Sequence, residues 1–167
     1  MSDVRVKGLA ELQRALDTLP AKIESNIMRG ALRAGANVIK AEAKAQVPRR
    51  SGKLASSIRV SVSLRRGTVK ASVKAGGRGK GGAWYARLVE LGTKAHVIKA
   101  RPGSALNVHG TLVSSVQHPG AHPKPFLRPA MDSRAQAAVE AVREYIRTRL
   151  ASKHGIDVPG PDDRNDE

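Results

Sequence analysis

Residues 58–75 read Ile58-Arg59-Val60-Ser61-Val62-Ser63-Leu64-Arg65-Arg66-Gly67-Thr68-Val69-Lys70-Ala71-Ser72-Val73-Lys74-Ala75. Apolar residues alternate with polar ones on both sides of Arg65-Arg66-Gly67-Thr68. Period-two alternation interrupted by a turn predicts a half-buried β-hairpin. One face is apolar and the other is basic, so the apolar face needs a second layer. The preceding segment supplies one. Ile23, Ile27, Ala31, Ala34, Val38 and Ala45 mark one face of an Ala-rich helix over about 21–46. Val47-Pro48 ends it, because the residue before a proline is pushed out of helical dihedrals.

Further out, Leu9, Leu12, Leu16 and Leu19 predict a short helix over 8–19, closed by Pro20. Gly76 to Gly82 is a flexible cationic loop containing Arg78 and Lys80. A short helix over 83–91 follows, with Leu88, Leu91 and Trp84 or Tyr85 on its apolar side and Gly92 as its C-terminal cap. Residues 96–100 and 105–117 read as strands, with Val97-Ile98 and Leu106-Val108 as pairing candidates. Prolines 119, 123, 125 and 129 argue against regular structure through that span. A last helix, about 130–150, turns Met131, Ala135, Val139, Val142, Ile146 and Leu150 inward. Asp132 falls in its first turn and Arg147 and Arg149 in its last, matching the helix dipole. The expected fold class is α+β: a small antiparallel sheet packed against the long Ala-rich helix and a C-terminal helix. Residues 1–150 form the domain, and 151–167 read as a disordered acidic tail.

The chain of 167 residues has four aromatic residues and no cysteine. Its core must be built from Leu, Ile, Val and Ala, which gives a modest core and a subunit that gains from contacts with others. Disulfides and thiolate metal sites are excluded. No apolar run approaches the roughly 20 residues that span a bilayer, and no signal segment opens the chain. A cytoplasmic setting is the default expectation.

The net charge is +16, and residues 1–150 alone, with 28 bases against 9 acids, carry +19. From Lys44 to Arg101 there are fifteen Lys/Arg and one acid, Glu90. Charge of that size attracts polyanions. Arg49, Arg50, Arg65, Arg66, Arg78 and Lys80 lie in turns and loops, where they can reach phosphates. Nothing resembles a helix-turn-helix, a zinc finger or a stacking platform, so contact with DNA would be non-specific. Glu90, set within Leu88-Val89-Glu90-Leu91, is expected to be partly buried and paired with an arginine.

Catalytic readings fail on inspection. Gly77-Arg78-Gly79-Lys80-Gly81-Gly82 has the spacing of a dinucleotide loop. The acid expected about 20 residues on is replaced by Lys99-Ala100-Arg101. The prolines around His118 and His122 preclude a helical pair, and no Asp or Glu lies between His96 and Phe126 to complete a metal site. No nucleophile elbow, zinc-protease motif or acid–base pair is present. The expectation is no enzyme, no cofactor and no metal.

The punctuating motifs occur in a definite order. They are Gly8-Leu9 with Leu12, the Ala-rich helix, Pro48 with Ser51-Gly52 and Leu54, and Tyr85-Ala86 with Val89-Glu90 and Gly92-Thr93. His96 with Ile98, His118-Pro119-Gly120 and Pro125-Phe126-Leu127-Arg128-Pro129-Ala130 come next, before the final helix. Over about residues 6–150 this order resembles the tail-component or tail-completion family of long-tailed lambdoid, HK-type bacteriophages. The resemblance implies a non-enzymatic virion protein, assembled in the host bacterial cytoplasm. It implies a ring, hexameric on the family pattern, at the head–tail junction. Double-stranded DNA would pass through that ring, between neighbouring neck and tail-tube proteins, with no membrane involved. The matched positions Gly52, Leu54, Tyr85, Glu90, Gly92, Pro125, Phe126 and Pro129 then become fold or subunit-contact determinants. The proline-stiffened arm 119–129 would end in Phe126 as an interface anchor. The alternative is a non-specific DNA-binding or packaging-associated protein with no joining role.

Overall fold

The structure is a computed structural model that describes residues 9–17, 19–77 and 82–156. Its frame is two long helices, α2 (Ala21–Gln46) and α5 (Leu127–His154), with α1 (Leu9–Asp17) laid against one end. A single turn, α3 (Lys53–Ser56), leads into the hairpin β1 (Arg59–Arg65) and β2 (Thr68–Lys74). After α4 (Ala86–Leu91) the chain runs out through β3 (His96–Lys99), β4 (Leu106–Val108), β5 (Thr111–Val113) and β6 (Ser115–His118) before returning to α5.

The two long helices are antiparallel and close, because small residues meet where they cross. A Cβ on Gly35 would lie 2.7 Å from the Ala138 carbonyl oxygen, and one on Gly30 would collide with the Tyr145 ring. Two buried clusters sit at opposite ends of the pair. One gathers Leu12, Leu16, Ile27, Ala31, Ile146 and Leu150. The other gathers Ala43, Val47, Leu54, Ile58, Ala83, Ala86, Phe126 and Ala130. An Arg134–Glu42 ion pair at 2.7 Å also ties α5 to α2.

The α+β class is the observed one. The hairpin folds as its alternation dictates, with Val60 opposite Val73, Val62 opposite Ala71 and Leu64 opposite Val69. This face packs on α2. Its turn is the two residues Arg66 and Gly67, with φ of 49° and 75°, the doubly positive geometry whose twist matches that of the strands.

Elsewhere the structure corrects the expectations. Val97 and Ile98 pair with Gln117 and Val116, and Leu106–Val108 pair with Thr111–Val113, so the two candidate segments do not pair with each other. α4 begins at Ala86 rather than 83. Trp84, Leu88 and Leu91 face outward, while Ala86, Tyr85 and Val89 pack inward. α5 starts at Leu127, so Asp132 is beyond its first turn and Pro129 lies inside the helix. Pro129 is tolerated because an N–H in the first turn has no helical acceptor anyway. Met131 is 53% exposed rather than inward. At the other end the helix continues to His154, with Gly155 as a left-handed cap and Ile156 packed against the first cluster. Residues 151–154, assigned from sequence to the tail, are therefore helical, and 157–167 lie outside the described residues.

Candidate functional site: a basic hairpin and a carboxylate clamp

The cross-strand register puts Arg59 opposite Lys74, Ser63 opposite Lys70 and Arg65 opposite Thr68 on the outer face of the β1–β2 hairpin. That face is basic and hydroxyl-bearing, with no acid. Arg59 bends back to the Gly76 carbonyl, which Ser57 steadies by accepting the Gly76 N–H at 2.9 Å. Arg65, Lys70 and the turn residue Arg66 stay exposed around a shallow depression completed by Ser63 and Thr68.

Arg66 has a side chain where such turns favour Asn or Gly. The left-handed conformation costs a residue with a Cβ about 1–2 kcal/mol. Strain of this kind persists where something else is gained, and here the residue adds a guanidinium at the most projecting point of the hairpin.

The six basic candidates do not form one patch. The hairpin turn lies beside the start of α2, near Ala21, Glu24 and Met28. Arg49 and Arg50 follow the other end of α2, where Arg49 donates to the Lys44 carbonyl at 3.3 Å. Most of a 26-residue helix separates the two pairs, about 30 Å at 1.5 Å per residue. Arg78 and Lys80 lie outside the described residues.

The remaining candidates converge on the return into α5. Glu90 accepts the backbone N–H groups of Phe126 at 2.8 Å, Leu127 at 3.0 Å and Arg128 at 3.1 Å. The next residue, Pro129, has no N–H. Every orphan donor of the first turn is thus satisfied or absent, and the negative carboxylate sits at the positive end of the helix dipole. Three amides, rather than the expected arginine ion pair, hold Glu90, and the Arg128 charge adds a smaller attraction. Burial works to raise the Glu90 pKa, but the hydrogen bonds from Leu127, Phe126 and Arg128 outweigh it and hold the pKa below its ordinary value.

Phe126 is fully buried within its own chain, so its side chain does not serve as an interface anchor. Leu54 is buried beside it, Tyr85 packs against the same cluster, Pro125 is exposed and Pro129 half-buried. Gly52 has φ 71° and starts α3. Gly92, at φ 71°, caps α4, and a Cβ there would lie 2.6 Å from the Ala121 carbonyl oxygen. The amides and carbonyls of Thr93 and Ala121 then bond reciprocally at 2.9 and 3.0 Å. Two features were missed from sequence. The Glu90 clamp spans 36 residues and leaves no local signal, and the strain at Arg66 depends on the turn being only two residues long.

Among the described residues, no cluster of three or more His, Cys, Asp or Glu could hold a metal ion. His96 and His118 form a cross-strand pair with their rings 5.0 Å apart. Among the same residues, no helix is long and apolar enough to cross a membrane.

A family model described as "Bacteriophage HK97-gp10, putative tail-component" matches residues 10–92. Over that segment the chain is similar to this phage tail-component family. No curated protein and no solved structure matches it. The segment shared with the tail-component family runs from α1 through α4 and holds both the basic hairpin and Glu90. It stops at Gly92, where the chain leaves the body for β3.

Proposed function

We propose that this chain is a phage tail component, a non-enzymatic virion protein that forms a ring at the head–tail junction. The β1–β2 turn would face the DNA channel, and the ring, hexameric on the family pattern, would sit between neck and tail-tube proteins. The single observation that carries the DNA-facing part is Arg66, kept in a left-handed conformation at the tip of a face holding Arg65 and Lys70 and no acid. Contact would be with phosphates and independent of sequence. The two basic ends of α2 suit a protein that lies along a polyanion better than one that grips it at a point.

The test is DNA binding across a salt series, comparing the parent with an Arg65→Ser, Arg66→Asn double variant. The variant should bind more weakly, with a salt slope smaller by about 2, one per lost phosphate contact. Its melting temperature should hold or rise, because Asn suits the turn better. Equal binding by both proteins would remove the hairpin from the DNA-facing role.

The second reading is a DNA-binding or packaging-associated protein without a joining role, favoured by the charge alone. Light scattering across protein concentration separates the two. A discrete ring mass without DNA supports joining, and a monomer that shifts only with DNA, reverting at high salt, supports the alternative.

A further inference from the structure

The charge of the chain is divided in space as well as in sequence. Residues 157–167, which lie outside the described residues, hold Asp157, Asp162, Asp163, Asp166 and Glu167 against one base, Arg164. Two of the basic regions lie far from where this acidic segment departs. α5 ends at the cluster of Leu12, Leu16, Ile27, Ala31, Ile146 and Leu150, on which Ile156 packs. Arg49 and Arg50 follow the opposite end of the α2–α5 pair. The arm between Gly92 and Pro125 holds β3 to β6 and carries Lys94, Lys99, Arg101 and Lys124. It too is rooted at that opposite end, where the Lys124 N–H donates to the Val89 carbonyl and Glu90 caps α5. The 28 residues of α5 set these groups about 42 Å from the acidic segment's start, at 1.5 Å per residue.

The β1–β2 turn is at the near end. Leu64, Gly67, Thr68 and Val69 lie beside Ala21, Glu24 and Met28 of α2. Met28 also packs on the cluster that receives Ile156, so one side chain borders both places. Arg65, Arg66 and Lys70 are exposed at this turn, and none of them forms an ion pair among the described residues. Glu24, half-buried, is the one acid lining the depression between the turn and α2. The eleven residues 157–167 extend to at most about 40 Å. Asp162 and Asp163, six and seven residues past Ile156, reach about 20 Å. That spans from α5 across α2 to the hairpin at about 10 Å per layer. Lys153 and His154, in the last turn of α5, are nearer cations and can meet Asp157, but the acids from Asp162 onward reach past them.

We infer that the acidic segment 157–167 docks on the Arg65, Arg66 and Lys70 face of the β1–β2 turn and occupies it by charge until a phosphate backbone displaces it. The inference rests on the DNA-facing reading above and adds its regulation. A segment tethered this close acts at an effective concentration in the millimolar range. It therefore screens the turn from short or weak anions. A long duplex, with one charge for about every 1.7 Å of its axis, outcompetes it. The acidic segment lies beyond the matched residues 10–92, so this control is added outside the part of the chain that the family model covers.

Four full-length proteins test this by a double-mutant cycle. They are the parent, an acid-neutralised variant (Asp157→Asn, Asp162→Asn, Asp163→Asn, Asp166→Asn, Glu167→Gln), the Arg65→Ser, Arg66→Asn variant, and the two combined. Binding to duplex DNA is measured at low and at high salt. Separately, carbodiimide coupling of amines to carboxylates in the parent is mapped by mass spectrometry, with and without DNA. Neutralising the acids should tighten binding about 3- to 10-fold at low salt when the turn is intact. In the Arg65→Ser, Arg66→Asn background the gain should fall below about 2-fold. Lys70 should couple to Asp162 or Asp163, and added DNA should abolish that product. Equal tightening in both backgrounds would come from the general field of the removed charges and overturns the docking. Coupling of the acidic segment to Lys153 alone overturns it as well. Either result leaves the DNA-facing turn standing if the combined variant binds more weakly than the acid-neutralised one. Equal binding by those two proteins overturns the DNA-facing reading, and the competition with it, whatever the coupling shows.

Discussion

The body and the arm are built from similar apolar residues and end in opposite states. In the body Ala31, Ala43, Phe126, Ala130 and Leu150 are wholly buried. The arm holds Val97, Ile98, Leu106, Val108, Leu112, Val113 and Val116 and buries none of them. What separates the two is the number of layers. α5 lies on α2 and the hairpin lies on α2, so each apolar face finds another. The arm is a single layer whose strands pair only with each other. Apolar content gives an element something to bury, and burial follows only where a second face is present.

This contrast can be broken most directly at Phe126. Phe126→Ala should lower the unfolding free energy by about 3–5 kcal/mol, read from denaturant midpoints at unchanged slope. A loss below about 1 kcal/mol would mean that the cluster at that end of α2 does not organise the body. Gly35→Ala comes next, at about 1–3 kcal/mol, since the new methyl meets backbone that cannot step aside. Gly30→Ala should cost less, because the obstacle is the movable end of Tyr145.

Glu90 sharpens the comparison at the junction of the two regions. Glu90→Gln keeps the shape and removes the charge from the α5 cap, and should cost about 1 kcal/mol. The pH dependence has a definite sign. The folded pKa of Glu90 lies below its ordinary value. That of Glu42 does too, through hydrogen bonds first from Arg134 and then from Gln46. Stabilisation from both is therefore fully present above the unfolded carboxylate pKa, about 4.3. It is lost as pH falls through the lower folded values. A thermal melt from pH 7 down to 3 should decline at the acid end, and less so in Glu90→Gln; identical profiles would remove Glu90 from the clamp. The smallest effect belongs to the arm. Ile98→Ser should change the stability of the free monomer by no more than about 0.5 kcal/mol, and a larger drop would mean that the arm belongs to the body's core.

The parts of the fold that could be read from sequence are those with a local period. The hairpin register follows from alternation alone, and α2 occupies the expected 21–46 because Pro20 and Pro48 bracket an unbroken helical face. The misreadings lie where distant residues decide. α3 is one turn started by the left-handed Gly52, too short to show a period. Pro129 argues for an irregular stretch until its position in the first turn of α5 is known. Phe126 looks like the end of an arm because prolines surround it, yet it shares one buried cluster with Leu54 and Ala86 from two other segments and with Ala130 one turn further along α5. The basic candidates were legible one by one. Their separation along α2 was not, because it depends on which end of the helix the hairpin turn approaches.

The reciprocal Thr93–Ala121 bonds and the Glu90 clamp bring the two feet of the arm to one point on the body. To the rest of the chain, everything from Lys94 to Gly120 is an insert with a closed base. Lengthening such a loop adds only a slowly growing entropic term, about 0.6 kcal/mol per doubling. Two more residues in each strand would extend the ladder by about 7 Å and keep every side chain on its original face. Reach is thus a dimension that can be edited independently of the core, like the span of a bracket bolted to an unchanged frame.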